Sequence, residues 1–412
     1  MIRIGINASF LRKQDTGVGQ VTVNFLRKLA ENESRSSKKL KDRMEFILYM
    51  EKNEYLEFLE DPNIRPGVFQ RKVFLPPYKR DDLIRKIWWE KFLLPKKAKE
   101  DECDVFLSLY QCPTILPKSI PHIMVVHDII PKLFPSYLNN WRKKLYQRLT
   151  EKAIRNNDKI IAVSHRTEKD LIQHLGIDPK KIGVCHVSID EIYRKEVFSE
   201  RSEKVLRKYQ IDPGYIYSGG GLEMRKNTES VLRAYKILSD EAGRFGKLPK
   251  LVISGRLMPK LAPLITDIEQ LVEGLELRDR VILLDYVPQE DLPALYKSAL
   301  MFVYPSLYEG FGLPVLEAMS QGTPVITSKT SSLPEVGCDA VLYCDPNKIE
   351  DLAMVMKNLM KNEHLRSALS AKAKERANHF SWNVFTEKVM NVTKALRKKP
   401  DISLKKVDEL DY

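Results

Sequence analysis

Short apolar, β-branched runs alternate with longer segments of helical period along this 412-residue chain. In the first half the runs fall at residues 2–6, 45–49, 105–109, 123–126 and 159–163. In the second half they fall at 215–218, 250–254, 281–284, 299–303 and 325–327. Helical periods separate most of them, at 19–31, 142–155, 227–241, 290–298 and 316–320. Apolar strands alternating with helices predict parallel sheets covered on both faces. The strand series restarts near residue 215, after a charged stretch at 190–208 that reads as a linker. Two doubly wound α/β domains with a cleft between them are the expectation. Trp382, Phe385, Val389, Val392 and Leu396 recur in steps of three and four, one apolar stripe on a last helix. Ser381 is placed to cap that helix and Pro400 to end it, and the charged tail from Arg397 is expected to fray.

Composition narrows the class. Hydrophobic residues make up 43% and charged residues 30% of the chain, which excludes a wholly disordered or fibrous protein. The length suits two domains of about 150–200 residues. No apolar run reaches the ~18–20 residues that span a bilayer; the strongest, at 299–307, is interrupted by Pro305. The first residues are expected to enter a strand directly, without a secretory leader. Cys103, Cys112, Cys185, Cys338 and Cys344 are scattered and odd in number. That argues against a disulfide framework or a structural zinc site, and for a cytoplasmic protein.

The charge is uneven. Residues 1–150 carry 28 Lys and Arg against 18 Asp and Glu, whereas residues 251–350 carry 7 against 14. A basic first half suits a polyanionic or membrane-surface partner. Nucleic acid is the rival, but no helix-turn-helix, zinc-finger or RNA-recognition signature accompanies the charge, so no nucleic acid is expected.

The most informative stretch runs from Tyr308 to Ile326. It follows an apolar strand, turns through Gly310 and Gly312, and enters a helix with Pro314 in its first turn. Glu309 and Glu317 bracket that turn. The backbone N–H groups from Gly310 to Leu313 would stand at a helix N-terminus, a site for oxygen-rich or anionic ligands. Upstream, Gly219-Gly220-Gly221 lies between a strand and a helix, and Arg225-Lys226-Asn227 follows.

Here a resemblance becomes specific. The two glutamates resemble the Glu-x7-Glu motif of retaining glycosyltransferases of family four, whose GT-B architecture comprises two Rossmann-like domains. The segments Gly17-Val-Gly19-Gln20, Val125-Val-His127-Asp-Ile-Ile-Pro131, Ala162-Val-Ser164, Arg225-Lys226-Asn227, residues 287–296 and Ser331-Ser-Leu-Pro-Glu-Val336 match the family in order. The resemblance implies domains at 1–195 and 196–385, with residues 386–412 crossing back to complete the first. It also implies a nucleotide-sugar substrate and no cofactor.

By the same resemblance, Lys226 serves the diphosphate as a catalytic cation, with Arg225 beside it. Glu309, with the amides of Phe311 and Gly312, would hold the transferred sugar. Glu317 would accept from the ribose hydroxyls, and Val287 would lie beside the base. Gly17 and Gly19 resemble a flexible loop that approaches the diphosphate. His127 matches an acceptor-side histidine, and Asp128 is read as structural or acceptor-side. One departure stands out: many relatives carry an arginine where this chain has Gly221. Glycine there allows close backbone approach, with Arg225 or Arg256 supplying charge. Gly220-Gly221 resembles mannosyltransferase-like members, which implies GDP-mannose. No metal site is expected, because the carboxylates do not cluster as Asp-x-Asp.

On the acceptor side, residues 83–94 hold Ile87, Trp88, Trp89 and Phe92 among Arg85, Lys86 and Lys91, with Lys96, Lys97 and Lys99 following. A basic amphipathic helix with a Trp pair suits peripheral contact at the inner face of the plasma membrane. A core helix with the Trp residues turned inward is the alternative. The leading expectation is a metal-independent, retaining hexosyltransferase building a bacterial surface polysaccharide on a glycan or lipid-linked acceptor. Two alternatives stay open: a soluble disaccharide or sugar-phosphate synthase of the same fold using UDP- or ADP-glucose, and a non-catalytic polyanion-binding protein.

Overall fold

The computed structural model describes residues 2–35, 44–54, 56–78, 80–241, 248–258, 261 and 264–398. Pro400 and the tail from 399 onward lie outside them. The chain forms two compact units, Met1–Ser188 with Ser381–Tyr412, and Ile189–Phe380.

The first unit is built on seven parallel strands: β1 (Ile2–Asn7), β2 (Met44–Met50), β3 (Phe69–Val73), β4 (Val105–Ser108), β5 (His122–Val126), β6 (Lys159–Ala162) and β7 (Ile182–Val184). Their order is β3-β2-β1-β4-β5-β6-β7. Ile4 pairs with Phe46 on one side and Val105 on the other, and all three are fully buried. Strand order reverses between β1 and β4, which opens a crevice at the carboxyl ends of the strands.

The last helix, Trp382–Lys398, packs within this unit, against the Gly17–Ser34 helix. Phe385 meets Phe25 edge-on at 6.2 Å, and Phe385 and Val389 are fully buried. Each such side chain contributes about 1.5–3 kcal/mol of burial. Ser381 Oγ accepts the Asn383 N–H at 3.2 Å, so the returning segment begins at the cap.

The second unit has six parallel strands: β8 (Ile216–Ser218), β9 (Leu251–Ser254), β10 (Val281–Leu284), β11 (Met301–Tyr304), β12 (Val325–Ser328) and β13 (Leu342–Cys344). Their order is β10-β9-β8-β11-β12-β13, reversing between β8 and β11.

The stretch read as a linker is structured. Residues Ser199–Tyr209 form a helix that buries Val205 and Leu206. Its far end is anchored on Asp291 by Lys208 Nζ at 2.6 Å and the Tyr209 hydroxyl at 2.8 Å. Just before it, Tyr193 O accepts Ser320 Oγ at 2.8 Å, and Arg194 donates to Phe380 O at 2.6 Å. Two buried positions in a charged segment leave too faint a period to announce a helix.

Candidate active site

The switch point of the second sheet brings together the loops that follow β8 and β11. After β8 the chain passes through Gly220 and Gly221, at φ +94° and +103°, into a short turn, Met224–Lys226. Lys226 therefore precedes the Thr228–Asp240 helix instead of opening it. Asn227, at φ +60°, ties that turn down by donating to Pro305 O at 3.1 Å and Pro346 O at 2.8 Å. After β11, Ser306 Oγ and the Leu307 N–H bond to Arg225 O at 3.0 and 2.8 Å. The two loops are stitched into one platform.

Four donors converge on Glu309 Oε1: Lys226 Nζ, Arg225 Nη1 and Ser306 Oγ at 2.8 Å each, and the Tyr304 hydroxyl at 2.7 Å. Lys226 Nζ also donates to the Tyr304 oxygen. Glu309 and Lys226 are 6% and 8% exposed. Burial alone would raise the Glu309 carboxyl; Lys226 and Arg225 outweigh it and hold it at about 2. Burial, with Arg225 beside it, pulls the Lys226 ammonium down while Glu309 pulls it back. Glu223 Oε2 pairs with Arg225 Nε at 2.8 Å on the more exposed side, so the two cations are matched by one buried and one half-exposed carboxylate.

The Ser331-Ser332 pair braces the glutamate loop. Ser331 Oγ accepts the Glu309 N–H at 2.9 Å, while Ser332 Oγ donates to Glu309 O at 3.0 Å and Phe311 O at 2.7 Å. Gly312 sits at φ +118°, where an added Cβ would meet Leu333 Cδ2 at 2.8 Å. It leads into the Leu313–Ser320 helix with Pro314 in the first turn. Gly310 and Phe311 are buried in this turn, and the Phe311 ring packs edge-on against Phe380 at 5.6 Å. Gly312 and Leu313 start the helix, so their N–H groups belong to its open end. Glu317 is half-buried and accepts the Tyr296 hydroxyl at 3.0 Å. Burial pushes its carboxyl up to about 7, against the pull of Tyr296 and Lys226.

Other expected positions differ in detail. Gly17 and Gly19 form the first turn of a helix capped by Thr16, whose Oγ1 accepts the Gly19 N–H at 3.1 Å. A Cβ on Gly19 would lie 2.0 Å from Lys13 O, so close packing against the preceding turn requires glycine there. His127 is buried, with Nε2 2.9 Å from Leu109 O. A carbonyl only accepts, so Nε2 carries the proton, and burial draws the ring down to about 4. Asp128 Oδ1 accepts the Ile130 N–H at 2.9 Å. Val287 is 8% exposed after β10, and Arg256 stacks 4.9 Å over the Tyr286 ring. The Trp pair divides: Trp89 is fully buried with Nε1 on Phe74 O at 2.9 Å, while Trp88 is 40% exposed.

Tyr304 and Ser306 are site residues that the sequence reading missed. Their signal was position: Tyr304 ends β11 and Ser306 follows two residues later, at the carboxyl edge where such sheets bind ligands, within five residues of Glu309.

Comparison with known proteins agrees. Residues 42–191 match Glycosyltransferase Family 4, and residues 200–376 match Glycosyl transferases group 1. The chain is 33% identical over 283 residues to O-antigen chain mannosyltransferase B of Escherichia coli, covering 67% of this chain and 72% of that protein. It is 29% identical over 248 residues to the O-antigen chain mannosyltransferase RfbU of Salmonella typhimurium, covering 60% and 62%. The crystal structure of WaaG, a glycosyltransferase involved in lipopolysaccharide biosynthesis, superposes with a TM-score of 0.69 at 17% identity, covering 95% of this chain and 99% of that one. The two parallel-sheet units are those of a GT-B glycosyltransferase. The chain belongs to glycosyltransferase family 4, as a mannosyltransferase-like member. That membership displaces the non-catalytic reading of its charge.

Proposed function

We propose that the protein transfers a mannosyl group from GDP-mannose to a glycan or lipid-linked acceptor in bacterial surface-polysaccharide synthesis, with retention and without a metal. The observation that carries this is the buried Lys226–Arg225–Glu309 cluster at the switch point of the second sheet. As the bond from the anomeric carbon to the phosphate oxygen breaks, its electron pair moves onto the diphosphate. Lys226 and Arg225 face that growing charge, and preorganised cations lower the barrier because they need no reorganisation. Lysine and arginine there supply what a divalent cation supplies elsewhere. Glu309, fixed through Oε1, turns Oε2 to a sugar hydroxyl beside the Gly312 and Leu313 amides. Glu317 takes the ribose, and the base lies by Val287. The acceptor oxygen bonds the anomeric carbon on the face the phosphate leaves, and its proton goes to the departing phosphate oxygen.

The choice of GDP-mannose rests on the segment from Gly219 to Asn227 and on the relatives' names. Peripheral membrane contact is supported by exposed Trp88 and Phe92, at 40% and 56%, among Lys91, Lys96 and Lys99. Among the described residues, no helix is long and apolar enough to cross a membrane.

The test is turnover of GDP-mannose, UDP-glucose and ADP-glucose with a mannose-terminated saccharide in EDTA, followed by chromatography and by NMR of the new anomeric proton. Release of GDP with an α-linked product supports the reading. Turnover only of UDP- or ADP-glucose, or only after Mg²⁺ or Mn²⁺ is restored, overturns it.

A further inference from the structure

The sealed tyrosines of the second unit bond their hydroxyls with one exception. Tyr215 donates to Leu295 O at 2.6 Å, Tyr217 meets Ser254 Oγ at 2.7 Å, and Tyr235 donates to Pro249 O at 2.8 Å. Tyr296 donates to Glu317 Oε2 at 3.0 Å and Tyr304 to Glu309 Oε1 at 2.7 Å. Tyr193 is buried to the same degree, yet its hydroxyl has no hydrogen-bonding partner. A phenylalanine would fill the same space without stranding a polar group, so the hydroxyl lowers the stability of the free protein.

Its surroundings say what the hydroxyl is for. Tyr193 closes a short turn, Glu191–Tyr193, that Asp190 caps by accepting the Ile192 N–H at 3.0 Å. Its carbonyl is held by Ser320 and Gln321, at the end of the helix that carries Glu317. Its ring centre lies 6.3 Å from that of Tyr296, the tyrosine already bonded to Glu317. Burial first, and then the nearby Glu317 carboxylate, push the Tyr193 hydroxyl well above the ordinary tyrosine value. It therefore keeps its proton and can donate it.

Glu317 is short of donors. Among the described residues, Tyr296 supplies the one hydrogen bond to its carboxylate, so water must meet the rest of its acceptor capacity. A ribose seated on Glu317 displaces that water, and a carboxylate that loses its water needs other donors. Tyr193 is held at its carbonyl and packed at its ring, whereas the Glu317 side chain is only half-buried and is the partner free to turn. We infer that Tyr193 is a positioning residue: its hydroxyl donates to Glu317 when a ribose occupies the carboxylate, and fixes the direction of that carboxylate. The ribose in this inference rests on the proposed transferase reading.

The test measures GDP and UDP binding to the full chain by calorimetry, and KM and kcat for GDP-mannose. Tyr193→Phe removes the hydroxyl alone. It should weaken the nucleotide that the wild type binds roughly tenfold, the effect of one lost hydrogen bond to a charged acceptor. KM should rise in proportion with kcat little changed, and Tm should stay level or rise. In a Glu317→Gln background the same substitution should alter affinity by less than about twofold, because an effect carried by the carboxylate ends with it. Tyr215→Phe is the contrast: it strands Leu295 O, and should lower Tm while nucleotide affinity stays as it was. Wild-type affinity in Tyr193→Phe, an equal loss in the Glu317→Gln background, or a fall in Tm like that of Tyr215→Phe overturns the positioning role. Binding of neither nucleotide by the wild type overturns the transferase reading itself, and this inference with it.

Discussion

Lys226 Nζ and Glu309 Oε1 lie 2.8 Å apart, although 83 residues separate them in the chain. The contact joins the loop after β8 to the loop after β11 across the reversal of strand order. Each group is awkward to bury alone: the carboxylate without its cations, the ammonium without its carboxylate. Together with Arg225, which also pairs with Glu223 at 2.8 Å, they form one buried ion network that joins the two loops.

Lys226→Ala should lower kcat by about 10²–10³-fold, as for loss of one preorganised donor to a developing oxyanion. Arg225 still pairs with Glu309 at 2.8 Å, so the variant should remain folded by circular dichroism. Glu309→Gln keeps the shape but weakens four bonds at once, and should cost both stability and rate. Normal donor turnover by Lys226→Ala would remove it from the phosphate.

Glu317 predicts a pH dependence. Its carboxyl is raised to about 7, so near neutrality it is half-protonated and a weaker acceptor for ribose hydroxyls. Donor affinity should therefore fall as pH drops from 8 to 6, and Glu317→Gln should flatten that dependence while raising KM more than it lowers kcat. Donor titrations across that range decide it; a variant that keeps the wild-type slope would place the titration elsewhere.

Much of this was legible in the chain. Ten of the strands stood out because central parallel strands are apolar on both faces, as in β2, whose seven residues are all buried. The three strands missed, β3, β7 and β13, form a sheet edge or hold only three residues, and β3 is half exposed. Glu309, Lys226 and Glu317 could be named from the family resemblance that their motifs carry. Their pairing could not, since a contact between loops 83 residues apart leaves no local period. His127 shows the same limit: its motif was visible, but its bond to Leu109 O was not.

The glycines divide by what surrounds them. Gly312→Ala would put a Cβ 2.8 Å from buried Leu333 at φ +118°, and should cost about 2–4 kcal/mol from strain and overpacking together. Gly221→Ala meets nothing within 4 Å and should cost only the ~1–2 kcal/mol of its φ of +103°. If the diphosphate approaches Gly221, its alanine variant should raise donor KM out of proportion to a small change in Tm. An unchanged donor KM would show that the backbone there is not approached.

Trp88 and Phe92 make membrane contact measurable. Vesicles rich in anionic lipid should sediment the protein, and added salt should release it. Burying each ring contributes about 1.5 kcal/mol or more, so Trp88→Ala and Phe92→Ala should each weaken partitioning roughly tenfold. Trp89→Ala is the contrast, because that ring is fully buried and stacked 5.4 Å from Phe74; it should lower Tm. Binding unaffected by salt and by both exposed rings would overturn the contact.

The last prediction concerns acid stability. Burial draws His122 down to about 3 and His127 to about 4, from an ordinary value of 6.5. Between those values the unfolded chain binds protons that the folded chain refuses, so their contribution is full above pH 6.5 and lost as pH falls. Glu317 and Glu90, both raised by burial, act in the opposite sense, so the total slope does not isolate the histidines. A difference does. His122→Gln removes one titrating group and leaves an amide that can donate to Ser108 Oγ, the present partner of Nε2 at 2.9 Å. From pH 6 to 4.5 the wild type should lose about 1.4 kcal/mol per pH unit more than the variant, the value for one proton. Urea unfolding at several pH values reads this directly. Parallel curves for the two proteins would mean that His122 is protonated in the folded state.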